Sequence, residues 1–179
     1  MCRSDDIGDP RGGAPEVERV ADAYAADLLM PRCLFHPIAA EIARPSFVSI
    51  GALANRFDTS LTATAIRFID MNTAPAILVC HGPSGRKWFK AAKDVPSRWF
   101  PRSDLYADSF AFGALFSDTV EKKPRKIGAE AWFDRSDAER YDITEHTVKT
   151  SKDEIMTLLL LEDEEMLQER EAHRSWAWR

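Results

Sequence analysis

The hydrophobic period of this chain changes near residue 74, and that change limits the fold more than any other feature. From Glu16 onward Val17, Val20, Ala21, Tyr24 and Leu28 recur at three- and four-residue intervals, which predicts a helix with one buried stripe, ended by Pro31 or the turn after it. "PIAAEIA" adds a short helical turn, punctuated by Pro45. In "SFVSIGALANRFDTSLTATAIRFIDMN" Ser49 is expected to cap one helix and Ser60 a second, with "FDTS" as the turn between them. Ile50, Leu53, Ala54 and Phe57 form the inner face of the first; Leu61, Ala65, Phe68 and Ile69 form that of the second.

Beyond Asn72 the period shortens toward two. "AILVCH", the turn "GPSG" and "RKWFKAA" predict a hairpin. "SDLYADSFAFGALF" reads as a helix with Ser103 as its cap. "AEAWF", "YDITEHTVKT" and "EIMTLLLLE" read as successive strands, the last apolar enough for the middle of a sheet. The charged tail from Asp163 to Trp178 is helix-prone, and residues 1–15, with Gly8, Pro10, Gly12, Gly13 and Pro15, read as loop. The expected class is α+β: a helical lobe over residues 1–74, then a β-rich C-terminal domain of hairpin plus meander over 75–179, with a terminal helix.

The 179 residues carry a net charge of −5, which argues against a general attraction to nucleic acid or anionic lipid. Cys2, Cys33 and Cys80 are odd in number and far apart, as in a reducing compartment, so the chain is read as cytoplasmic. No apolar run approaches the roughly 18 residues of a membrane span, and no apolar signal segment opens the chain.

One string carries more information than its periodicity. "ERVADAYAADLLMP", Glu18 to Pro31, resembles the later metal-ligand helix of the ImmA/IrrE family of metallo-endopeptidases, with Asp22, Tyr24 and Asp27 where the family usually has Asn, Phe and Glu. "SIGALANRFDTSLTATAIRFI" is similar to a second family segment, with Ser49, Leu53, Ala54, Phe57, Ser60, Ala63 and Arg67 in its order. The two blocks cover roughly residues 16 to 70. The resemblance implies a zinc peptidase in which two histidines of an HExxH helix and a later glutamate hold the metal. There the HExxH glutamate serves as general base, because zinc lowers the pKa of its bound water toward about 7. It also implies a protein substrate, a helix-turn-helix repressor or antitoxin, and a role in transcription and stress control. The glutamate that matches the metal ligand is Glu18.

The four histidines, His36, His81, His146 and His173, form no HExxH string. The family pattern therefore places Met1 just downstream of the missing helix, and the chain alone is expected to bind zinc weakly or not at all and to turn over no peptide. Cys33 with His36, and Cys80 beside His81, raise a Cys/His metal site, but the paired spacings of zinc modules are absent and burial as small hydrophobes is the better expectation.

Two further stretches raise other functions. The helix-turn-helix silhouette of residues 46–72 has Arg56 and Arg67 balanced by Asp58 and Asp70, which leaves no surplus for phosphates and favours a core-packing pair. "RKWFKAAKDVPSRWFPR" sets Arg86, Lys87, Lys90, Lys93, Arg98 and Arg102 against Asp94 alone, with Trp88, Phe89, Trp99 and Phe100 interleaved. Arg86, Lys87, Trp88, Lys90, Trp99 and Arg102 are the candidate contacts to an anionic or single-stranded partner; sheet packing with a solvated basic face is the stronger expectation. Lys122, Lys123, Arg125 and Lys126 read as a solvated loop. The alternative to a peptidase is a non-catalytic interaction protein that docks a repressor or an anionic partner.

Overall fold

The computed structural model describes residues 16–117 and 123–168, with the side chains of residues 16–19 left aside. Helix α1 (Glu16–Leu29) gives way to α2 (Arg32–Ala40) at Pro31, whose φ of −56° suits the position before a helix. Phe35 and Ala39 turn α2 inward.

Helix α3 (Phe47–Phe57) starts one turn earlier than expected. Ser46, not Ser49, is its N-cap, and the two serines form a reciprocal box in which Ser49 N–H donates to Ser46 Oγ (3.2 Å) and Ser46 N–H to Ser49 Oγ (2.9 Å). The "FDTS" turn is as expected: Asp58 takes the left-handed conformation (φ 52°), and Ser60 caps α4 (Leu61–Met71) by accepting from Ala63 N–H at 3.1 Å. Asn72 closes α4 at φ 54°, a conformation that Asp and Asn tolerate better than other side chains do.

The second half builds one antiparallel sheet in the order β2-β1-β5-β4-β3, from β1 (Ala76–Gly82), β2 (Gly85–Ala91), β3 (Arg125–Gly128), β4 (Asp142–Ser151) and β5 (Glu154–Leu160). The α+β class holds, helices first and sheet after. The β1/β2 hairpin forms as read, turning at Pro83–Ser84 into Gly85, whose φ of 109° requires a glycine-like residue. "EIMTLLLLE" supplies the central strand, covered on both faces.

Three further expectations, all in the second half, differ from the structure. Residues 129–131 of "AEAWF" form a 3-10 turn, because Ala129 N–H is taken by Tyr141 O (2.8 Å) and the chain then bends to bury Trp132 and Phe133; the strand is the preceding Arg125–Gly128. Arg125 and Lys126 thus belong to an exposed edge strand rather than a loop, where cations discourage further strand pairing. Helix α5 is shorter than read (Phe110–Phe116) and is capped by Ser109, since the Ser103 carbonyl is engaged by Arg86 N–H at 2.7 Å. Of the tail, the short helix α6 (Glu164–Leu167) is described, and the rest lies outside the described residues.

Helices α3 and α4 cover one face of the sheet, where Phe47 N–H donates to His146 Nδ1 (3.1 Å); α5 and the 129–133 turn cover the other. The change of period at residue 74 does not divide the core. Phe35, Ile50, Leu53, Phe68 and Ile69 from the helices join Ile77, Leu78, Met156, Leu158 and Trp132 in one hydrophobic cluster. No helix among the described residues is long and apolar enough to cross a membrane.

The largest correction falls on α1. Its expected buried stripe faces outward: Val20 is 47% exposed, Tyr24 68% and Leu28 80%. The helix meets the body at its C-terminal end, near Asp27 and Met30, and no described residue lies over the stripe.

Candidate functional site

Arg67 joins the two sequence blocks. Its α4 backbone places the guanidinium under the end of α1, where only 7% of the side chain is exposed. Nε and Nη2 both donate to the Met30 carbonyl, at 3.0 and 2.7 Å, and Nη2 also donates to Asp27 Oδ1 at 2.6 Å. A helix leaves its last carbonyls without internal partners, so the guanidinium fork meets a real need there and balances its own buried charge against Asp27. Met30, itself buried, receives the Thr59 hydroxyl at its sulfur (3.8 Å), and Thr59 shares a 2.7 Å hydrogen bond with Thr64. The ends of both blocks are thereby fastened together.

Glu18 precedes Asp27 by nine residues on α1, so along an ideal helix it stands about 13 Å from the joint. Its side chain is outside the described set. Among the described residues no group of three or more His, Cys, Asp and Glu side chains is arranged to hold a metal. His36 and Cys33 are exposed on α2, while His146 is occupied as the acceptor of Phe47 N–H. Burial pushes the Cys80 thiol up to about 12, helped by the nearby Glu154 carboxylate, which makes it a packed hydrophobe and a poor ligand or nucleophile. The donors present among these residues do not make up a tetrahedral zinc site.

The basic and aromatic stretch uses its groups within the fold. Arg86 donates to the Pro101 carbonyl and lies over the rings of Phe89 (5.0 Å) and Phe100 (4.5 Å). Lys87 pairs with Glu154 and Lys90 with Asp70, at 2.6 and 2.7 Å. Trp88 is half-buried against the core. Trp99 is 2% exposed, donates from Nε1 to the Met166 carbonyl (2.6 Å) and meets Phe133 and Tyr141, so its faces are covered. Arg98 donates to the same carbonyl at 2.9 Å. Arg102 donates to Glu130 O (3.2 Å) and approaches Asp134 (3.5 Å). The six candidate contacts do not form one surface: Arg86 shares a sheet face with Phe89, Trp88 and Lys90 lie on the opposite face, and in the loop after β2 Trp99 bonds to α6 and Arg102 to the 3-10 turn. Phe100, 55% exposed, is the ring left to solvent.

Sequence reasoning passed over Glu145 and named His81 only beside Cys80, as a candidate metal ligand. Glu145, 1% exposed on β4, accepts from Ala111 N–H (2.7 Å), Phe110 N–H (3.3 Å), Trp132 Nε1 (3.0 Å) and the Thr147 hydroxyl (3.2 Å). Burial raises its pKa, and those donors pull it partly back. Four donors fill a carboxylate's acceptor sites, so Glu145 ties α5 and Trp132 to the sheet and has no vacancy for a substrate. The signal was available: alternation puts Glu145 on the inward face with Ile143 and Thr147. His81, fully buried with its ring 5.7 Å from Trp132, has no hydrogen-bond partner for either nitrogen among the described residues. Burial pushes it down to about 4, against the pull of the nearby Arg102 backbone.

No protein-family model matches this chain, and comparison with curated proteins finds no similar one.

Proposed function

We propose that the chain is the later part of an ImmA/IrrE-like zinc metallo-endopeptidase whose substrate is a helix-turn-helix repressor or antitoxin, with Glu18 as one metal ligand. The observation that carries this reading is the Arg67 joint. The two blocks of the resemblance, 18–31 and 49–69, are apart in sequence, yet Arg67 from the second closes on Asp27 and Met30 from the first. Co-occurrence of the blocks thus has a physical cause. The outward stripe of Val20, Tyr24 and Leu28 adds support, because a neighbouring helix bearing the remaining ligands would cover it. As numbered, the chain offers one matching ligand and no HExxH base, so it binds zinc weakly or not at all and hydrolyses no peptide bond.

The test reads the genomic DNA in frame ahead of Met1 and measures zinc per chain by mass spectrometry. An HExxH string a few residues upstream, and stoichiometric zinc once that segment is included, is the expected pair of results. A stop codon or unrelated sequence there removes the peptidase reading. The second reading is an interaction protein that docks a protein partner on the same stripe, and it takes first place in that event. A repressor retained uncleaved in a pull-down, and released by Tyr24→Lys, would support it.

A further inference from the structure

We infer that Arg67 is a positioning residue that sets the angle of α1 on the body of the protein, so that the helix is an arm held at its C-terminal end. Among the described side chains of α1, Ala26 is half-buried and all the others, from Val20 to Leu29, are exposed. Burial begins at Met30, where the Arg67 fork sits. Apolar packing therefore contributes little to holding the arm among these residues, and the direction of the helix rests on the geometry of two bonds to one carbonyl and one to Asp27. A planar guanidinium fixes that geometry; an ammonium, a point charge on a flexible stem, does not.

The consequence for Glu18 rests on the proposed function, whereas the arm does not. At a lever length of about 13 Å, a tilt of roughly 10° moves the Glu18 backbone by about 2 Å. Metal–ligand distances tolerate about 0.2 Å. Arg67 would therefore decide whether a carboxylate so far away can reach a metal at all, although it touches neither metal nor substrate.

Hydrogen exchange on the full chain tests the inference, with Arg67→Lys and the milder Asp27→Asn. A helix of this length is marginal in water on its own, so its amides report docking. Exchange across Ala21–Leu29 should rise about tenfold in Arg67→Lys and about threefold in Asp27→Asn, while amides of β1 and β5 keep their protection. Asp27 is exposed, so its variant folds even if burial makes Arg67→Lys unstable. Unchanged α1 exchange in both variants would overturn the inference. So would α1 amides already unprotected in the unaltered protein, or a rise shared equally by the sheet, which would mark Arg67 as a general core residue. The measurement needs no metal and no substrate; its failure leaves the peptidase reading to the upstream DNA, and failure of that reading leaves the arm intact.

Discussion

Replacing Glu145 by alanine should be among the most damaging single changes in the sheet half of this protein. The carboxylate is the partner of two fully enclosed donors, Ala111 N–H and Trp132 Nε1–H, and of Phe110 N–H at the edge of the core; Thr147 retains Thr157 at 2.9 Å. An orphaned buried donor costs about 1–3 kcal/mol, so the loss should reach about 3–4 kcal/mol after partial relief at Phe110. For a chain of this size that is a fall of about 10 °C in Tm. Urea unfolding followed by tryptophan fluorescence measures it, and a loss below about 1 kcal/mol would refute the view that Glu145 ties α5 and Trp132 to the sheet. Glu145→Gln tests the electrostatics separately. Burial raises the folded-state pKa of Glu145, so the carboxyl's contribution is fully present below the unfolded pKa and declines as pH rises through the folded one. The stability gap between the natural protein and Glu145→Gln should therefore narrow as pH rises from 4 toward 7. A gap that widens would mean that the four hydrogen bonds outweigh desolvation.

His81 behaves in the opposite sense: its folded pKa, near 4, lies below the ordinary 6.5, so its neutral form contributes stability that is present above pH 6.5 and lost as pH falls toward 4. The full loss is roughly 3 kcal/mol, and His81→Leu should abolish that part of the acid sensitivity in melts taken at pH 7 and pH 4.5. At pH 7 a thiol reagent should modify exposed Cys33 within minutes and reach Cys80 only on unfolding; prompt modification of Cys80 in the folded protein would contradict its raised pKa and burial. Lys87→Ala and Lys90→Ala remove half-exposed ion pairs and should each change stability by less than about 1 kcal/mol. Trp99→Phe should cost more, about 1–2 kcal/mol, because a buried indole loses its bond to Met166, and limited proteolysis should then cut α6 first.

Local chemistry explains what could be read directly. The turn residues Asp58, Asn72 and Gly85 and the cap Ser60 act within three or four residues of themselves, so their roles follow from neighbours in sequence. Even the misplaced cap of α3 is a local ambiguity, since Ser46 and Ser49 are reciprocal partners in one box. The short run 129–133 failed for a different reason: five residues carry too little periodicity to separate a strand from a 3-10 turn, and Tyr141, twelve residues after Ala129, decides which forms.

The sequence by itself determined the helices, the hairpin, the apolar central strand and the α+β class, because period and turn chemistry are properties of adjacent residues. It also put Glu18, Asp27 and Arg67 into a recognisable pattern. Only the tertiary structure decided that the α1 stripe faces outward, that Arg67 rather than apolar packing fastens α1, that Trp99 is enclosed, and that Glu145 is a buried hub. The last three depend on groups between 13 and 67 residues away in the chain. An amphipathic helix specifies that one face prefers cover; what covers it, or leaves it bare, is settled by the rest of the assembly.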